Sequence, residues 1–193
     1  MGGNYAEHAG VFLVQTLFGL YILAVMLRFL LQWVRADFYN PVSQFLVKVT
    51  NPLLKPLRRV VPGFWGMDLA AVLLMVLLQM LELFLVGVMV GQSFRPLGIL
   101  VMSIGELLSL AVYVFLFAIL IQVVLSWIQP VSYNPVLGLV NRLAEPLLAP
   151  ARRLIPPISG LDLSPLAVLI LLQLTLILLV SPIKDLGRML AFQ

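Results

Sequence analysis

Residues Trp127–Asp162 read WIQPVSYNPVLGLVNRLAEPLLAPARRLIPPISGLD, and residues Trp33–Asp68 read WVRADFYNPVSQFLVKVTNPLLKPLRRVVPGFWGMD. The two stretches align without a gap at an offset of 94. Carried on to Gln79 and Gln173, 18 of 47 positions are identical and many others exchange one aliphatic residue for another. The shared punctuation is Trp, Tyr-Asn-Pro, Pro-Leu-Leu-x-Pro, Arg-Arg, Pro, Gly-x-Asp, then an apolar run ending Leu-Leu-Gln. A repeat of this length is one supersecondary unit stated twice.

What flanks the repeated stretch sets the fold class. The 193-residue chain is 62% hydrophobic and 10% charged, with mean hydropathy +1.11. That much apolar surface exceeds what one soluble core hides, and it predicts an all-α integral membrane protein. Apolar runs of spanning length cover about 11–34, 69–90, 105–128 (with a start near Ile99 as the longer reading) and 163–180. In lipid each must satisfy its own backbone groups, so each is read as a helix. The chain divides into two parallel helix-hairpin repeats, 1–97 and 98–193, with connectors 35–68 and 129–162. The first run is long, lacks a basic leader and is followed by Arg35 and Asp37, so it reads as a retained anchor.

Each connector is too long for a turn. Asn40-Pro41 and Asn134-Pro135 set a capping side chain before a proline at the first helical position. Val42, Phe45, Leu46 and Val49, and Val136, Leu139, Val140 and Leu143, then recur at helical spacing. Pro52 and Pro146 are expected to break these helices, leaving kinked basic segments with Pro56, Arg58, Arg59 and Pro150, Arg152, Arg153. An apolar stripe opposite a basic one predicts an amphipathic, proline-broken connector lying in the membrane interface. Asp68 and Asp162, just before the next apolar runs, read as helix caps at the positive end of a helix dipole.

Loop charge orients the chain. Lys48, Lys55, Arg58 and Arg59 in one connector, and Arg142, Arg152 and Arg153 in the other, predict cytoplasmic connectors and periplasmic termini in a bacterial inner membrane. Lys184 and Arg188 in the tail run against this. The same residues form a candidate platform for anionic membrane lipid and a protein partner. The +4 formal charge is read as topology and headgroup contact, with no direct nucleic-acid partner. A homo-oligomer is compatible with the sequence.

Charged and amide side chains within the spans are Arg28, Gln79, Glu82 and Gln173. Arg28 lies about 10 Å from the connector end of its helix and is expected to snorkel to headgroups. Glu82, about 21 Å beyond Asp68, is the candidate buried carboxyl, with Tyr21 or Tyr113 as hydrogen-bond partner. Glu106 reads as a first-turn acid at the outer interface. Gln79 and Gln173 repeat and are expected to bond between helices. There is no cysteine, one histidine (His8), and no HExxH, GxSxG or P-loop motif, so the sequence predicts no catalytic site and no cofactor.

The combination of Asn-Pro, Pro-Leu-Leu-x-Pro, Arg-Arg and Gly-x-Asp in both copies, with Ser164-Pro165 closing the second, resembles the YggT family of small bacterial membrane proteins, related to the YlmG proteins of plastids and cyanobacteria. The first copy departs with Gly63 in place of Pro157 and Ala70-Ala71 in place of Ser164-Pro165. The resemblance implies a membrane protein without an established catalytic activity. It further implies roles in cell division, in nucleoid or membrane organisation, in cytochrome b assembly in plastids, or in osmotic adaptation. Three readings result: a non-enzymatic accessory protein working through its connectors, an ion-handling channel-like or transporter-like protein, or haem or quinone delivery, which would need an intermolecular ligand.

Overall fold

The computed structural model describes residues 4–63, 67–92, 95–128, 135–155 and 162–192. Every regular element among them is helical: α1 (Asn4–Trp33), α2 (Pro41–Val60), α3 (Leu69–Met89), α4 (Pro96–Ile128), α5 (Pro135–Leu154), α6 (Ser164–Thr175), a π turn (Leu176–Val180) and α7 (Ser181–Phe192). Four stretches are long and apolar enough to cross a membrane: Tyr5–Trp33, Leu69–Met89, Pro96–Ser126 and Ser164–Ala191. Their outward faces carry residues such as Phe12, Leu17, Phe117 and Leu178. Water solvates such a surface poorly, whereas hydrocarbon does so without cost.

The helices α1 and α4 begin earlier than hydropathy alone predicts, and the fourth span runs about ten residues further. Ser181-Pro182 looks like its end because a proline inside a helix clashes with the carbonyl four residues back. The π turn removes that clash: the Ser181 N–H and hydroxyl both reach the Leu176 carbonyl, the hydroxyl at 2.9 Å, and the helix continues as α7.

Helix α4 is the mast of the bundle, in contact with α1, α3, α5, α6 and α7. At 33 residues it is about 50 Å long, longer than the ~30 Å hydrocarbon layer. Its closest partner is the antiparallel α7, where Gly98 faces Ala191, Met102 faces Gly187 and Gly105 faces Lys184. A Cβ added at Gly98 would lie 2.3 Å from the Ala191 backbone. Gly187 and Ala191 form a small-xxx-small pair, which brings helix backbones together where no hydrophobic drive separates protein from lipid.

The two connector helices meet at one end of the bundle, where Asn40 Nδ2 donates to the Pro135 carbonyl at 3.2 Å. At the other end Gly10 approaches Met89, and the Arg95 N–H donates to the Ala191 carbonyl at 3.3 Å. The main core joins α1, α2, α3 and α4 around Ile22, Val25, Leu54 and Leu74, and a smaller one joins α4, α5 and α6 around Ile119, Leu148 and Val168. Positions 94 apart are buried in both repeats: Val25 and Ile119, Thr50 and Ala144, Leu54 and Leu148, and Leu74 and Val168.

The connectors correct one expectation. Pro52 and Pro146 do not break their helices, which run unbroken through Pro56 and Pro150 to Val60 and Leu154. All four prolines sit on the exposed side. There the carbonyls they leave unpaired, such as those of Lys48 and Arg142, remain open to water or headgroups, so the missing hydrogen bonds cost little.

Candidate functional site

Helix α2 starts where Asn40 Oδ1 accepts from the N–H groups of Val42 (2.8 Å) and Ser43 (3.2 Å), with Pro41 at the first helical position. The Ser43 hydroxyl donates to the Asp37 carbonyl at 3.1 Å. These contacts fix where the helix leaves α1. Its residues then divide into three sectors at 100° per residue. Ser43, Leu46, Thr50 and Leu54 are buried against the bundle. Val42, Phe45 and Leu53 form an exposed apolar sector, and Lys48, Lys55 and Arg59 an exposed basic one. The buried stripe is therefore rotated from the apolar stripe expected to lie on the membrane, of which Leu46 is buried while Val42 and Phe45 are exposed. In α5 the basic sector holds Arg142 and Arg153, while Leu139, Leu143, Ala144 and Leu148 are buried. Asn134 lies outside the described residues.

Arg28 does not reach the headgroups. It is 5% exposed, and its Nη1 donates to Thr50 Oγ1 at 2.6 Å and Asn51 Oδ1 at 2.9 Å, with the Val47 carbonyl at 3.5 Å. Thr50 passes its own proton to the Leu46 carbonyl at 2.7 Å. Tyr21 donates to the Val49 carbonyl at 3.4 Å. Both side chains bolt α2 to α1, because a buried guanidinium is tolerable only where acceptors meet it. The second repeat replaces Arg28 with Gln122, Thr50 with Ala144 and Asn51 with Glu145, and the buried Gln122 Oε1 has no hydrogen-bond partner.

Two of the platform arginines are committed elsewhere. Arg58 forms an ion pair with Asp68, whose other carboxylate oxygen accepts the Ala71 N–H at 3.3 Å and caps α3. Arg152 repeats this, with Nε 2.9 Å from Asp162 Oδ2, and also reaches Glu145 at 3.3 Å. Asp162 Oδ1 accepts the Ser164 N–H at 2.9 Å. Burial pushes the Asp162 carboxyl up, but hydrogen bonds from Arg152 and Ser164 outweigh it and hold it below the usual carboxylate value. In each repeat an arginine at the end of the connector helix thus clamps the aspartate that opens the next span. The signal for this was legible, since both residues recur ten apart in both copies.

Within the spans, α1, α3 and α4 border an open cavity of about 350 Å³ lined by Gln15, Gly19, Gln79, Glu82, Glu106, Ser109 and Tyr113, among others. Gln79 Nε2 donates to Glu82 Oε2 at 3.0 Å. Neither tyrosine supplies a hydrogen bond to Glu82: Tyr113 only lines the cavity, and Tyr21 is occupied on α2. Glu106 lies ten residues inside α4, about 15 Å from its start, and pairs with Lys184 of α7 at 2.7 Å. That pair was missed because the fourth span was expected to stop before Lys184. Gln173 stands exposed on α6 and does not meet Gln79. Among the described residues no group of three or more His, Cys, Asp or Glu side chains could hold a metal ion.

The CCB3/YggT family model matches residues 8–89 and 101–183. The chain belongs to the CCB3/YggT family. It is 48% identical to an uncharacterized protein of Pseudomonas aeruginosa over 90% of this chain and 89% of that one. Its identity to the uncharacterized protein YggT of Escherichia coli K12 is 34%, over 93% of both. A shorter likeness, 35% over 34% of this chain, links it to ycf19 of Porphyra purpurea, of which it covers 70%. No solved structure matches the chain. The family match points to no enzymatic family.

Proposed function

We propose that this protein is a non-enzymatic, multi-pass accessory protein of the bacterial inner membrane. Its paired connector helices form a basic cytoplasmic platform for anionic lipid and for a membrane-protein partner of the division or assembly kind. The observation that carries this reading is the three-sector helix α2. One sector docks on the bundle, the exposed apolar sector of Val42, Phe45 and Leu53 suits acyl chains, and the exposed basic sector of Lys48, Lys55 and Arg59 suits headgroups. Arg142 and Arg153 form the corresponding exposed basic sector of α5, which meets α2 where Asn40 donates to the Pro135 carbonyl. Each basic side chain near an anionic leaflet contributes about 1 kcal/mol, so three on one helix give a measurable lipid preference. Arg58 and Arg152 contribute less, being held by Asp68 and Asp162. Cytoplasmic placement follows from the excess of Lys and Arg in the connectors.

The test is the melting temperature of detergent-solubilised protein titrated with phosphatidylglycerol or phosphatidylcholine. Phosphatidylglycerol is expected to raise it more, and Lys48→Gln/Lys55→Gln/Arg59→Gln to remove the difference. Equal effects of the two lipids on the unaltered protein refute the lipid half. Photocrosslinking from position 48 that captures no protein in cells refutes the partner half.

A further inference from the structure

We propose that the cavity between α1, α3 and α4 is a binding site for one monovalent cation, ligated by oxygens of Glu82, Gln79 and Ser109. Charge is the first argument. Two carboxylates, Glu82 and Glu106, border the cavity, and one ammonium, Lys184, neutralises Glu106. Gln79 donates to Glu82 but brings no charge, so the group is short by one positive charge at a depth where an uncompensated charge is costly.

Ser109 supplies the second argument, independent of the acids. Hydroxyls within helices commonly return their proton to a carbonyl one turn back, as Ser103 does to Ile99 at 2.7 Å and Thr175 to Leu171 at 2.8 Å. Ser109 is 5% exposed, lines the cavity and has no hydrogen-bond partner among the described residues. Its hydroxyl is left open to the cavity, where a ligand can meet it.

The third argument is placement. Gln15 on α1 and Ser109 on α4 are equivalent positions of the two repeats, as are Gly19 and Tyr113, and all four line this cavity. The site therefore sits on the seam between the repeats, where repeat-built membrane proteins gather their ion and substrate sites. Its ligand chemistry is carboxylate, amide and hydroxyl oxygen without sulfur or imidazole, which suits a hard cation. One unbalanced charge, with no cluster of three acids, suits a monovalent ion over a divalent one.

Purified protein in nanodiscs at pH 8 and constant ionic strength tests this, with sodium or potassium chloride replacing N-methylglucamine chloride. The expected result is a saturable rise in melting temperature with one of the two alkali cations. Glu82→Gln is expected to abolish it, and Ser109→Ala to raise the half-saturating concentration about fivefold, the size of one ordinary polar contact. The triple substitution on α2 leaves it unchanged, which separates this site from the lipid platform. If Glu82→Gln does not purify as a monodisperse protein, the Ser109→Ala shift decides. A wild-type protein that responds to pH but to neither cation holds a proton there instead, and that result overturns the proposal, as does an unshifted Ser109→Ala.

Discussion

The two arginine–aspartate clamps have the same sequence and unequal surroundings, and a pair of double-mutant cycles measures the difference. In the first clamp the Asp68 side chain is 6% exposed and Arg58 36%; in the second, Arg152 and Asp162 are each 38% exposed. Exposed pairs are screened and contribute about 0.2–1 kcal/mol. Arg152 in addition keeps Glu145 at 3.3 Å when Asp162 is neutralised, which lowers the second coupling towards the bottom of that range. In the first clamp, Arg58→Gln leaves a buried carboxylate with the 3.3 Å Ala71 N–H as its remaining donor among the described residues. Breaking a fully buried pair costs about 3–5 kcal/mol, and the partial exposure of Arg58 brings the expected loss to about 2 kcal/mol. Asp68→Asn keeps a capping oxygen and removes only the charge, whereas Asp68→Ala also removes the cap, for about 1 kcal/mol more. The assay is unfolding in mixed micelles at increasing dodecyl sulfate, applied to Arg58→Gln, Asp68→Asn, their double variant, and the same set at Arg152 and Asp162. A coupling of about 1.5–2 kcal/mol in the first clamp and below about 0.5 kcal/mol in the second is expected. Equal couplings would mean that burial of Asp68 does not govern the pair.

The depressed Asp162 pKa contributes stability that is present above the unfolded value near 3.9 and lost as pH falls through the folded one. The acid limb of the stability curve below about pH 4 is thus expected to flatten in Asp162→Asn, and an unchanged limb contradicts it. Thr50→Val, which strips Arg28 of its shortest acceptor, is expected to cost about 1–3 kcal/mol in the same micelle unfolding assay, against less than about 0.5 kcal/mol for Ala144→Ser at the equivalent site. Gly98→Ala must push α4 away from the Ala191 backbone and is expected to cost about 1–3 kcal/mol, while Gly138→Ala, which meets nothing within 4 Å, gains up to about 1 kcal/mol of helix propensity. Gln79→Leu leaves Glu82 without its amide donor and is expected to lower the melting temperature, whereas Gln173→Leu, on an exposed face, leaves it unchanged or raises it; matched effects would indicate that the two glutamines share one environment.

The four spans and the paired connectors were legible because hydropathy over twenty residues and an ungapped repeat are strong signals. The helix ends were less so, since a proline reads as a stop unless a π turn is known to absorb it, as happens before Pro182. Arginine direction is also invisible to a linear pattern: Arg28 near a helix end suits headgroups and buried acceptors equally, and only the docking of α2 decides for Thr50 and Asn51. The repeat carries a further lesson about where function is written. Residues identical in both copies, Arg58 with Arg152, Asp68 with Asp162 and Leu54 with Leu148, hold connector to span and fill the cores. They describe the frame, because each copy must solve the same packing problem. Positions where the copies part make what occurs once: Arg28 against Gln122, Glu82 against Leu176, Ser109 against Gln15. A one-sided polar cavity needs that divergence, since two identical halves would place a carboxylate in each. Identity between the halves therefore marks mostly scaffold, Gln79 and the Arg59–Arg153 pair aside, while the proposed cation site draws Glu82 and Ser109 from positions where the halves differ.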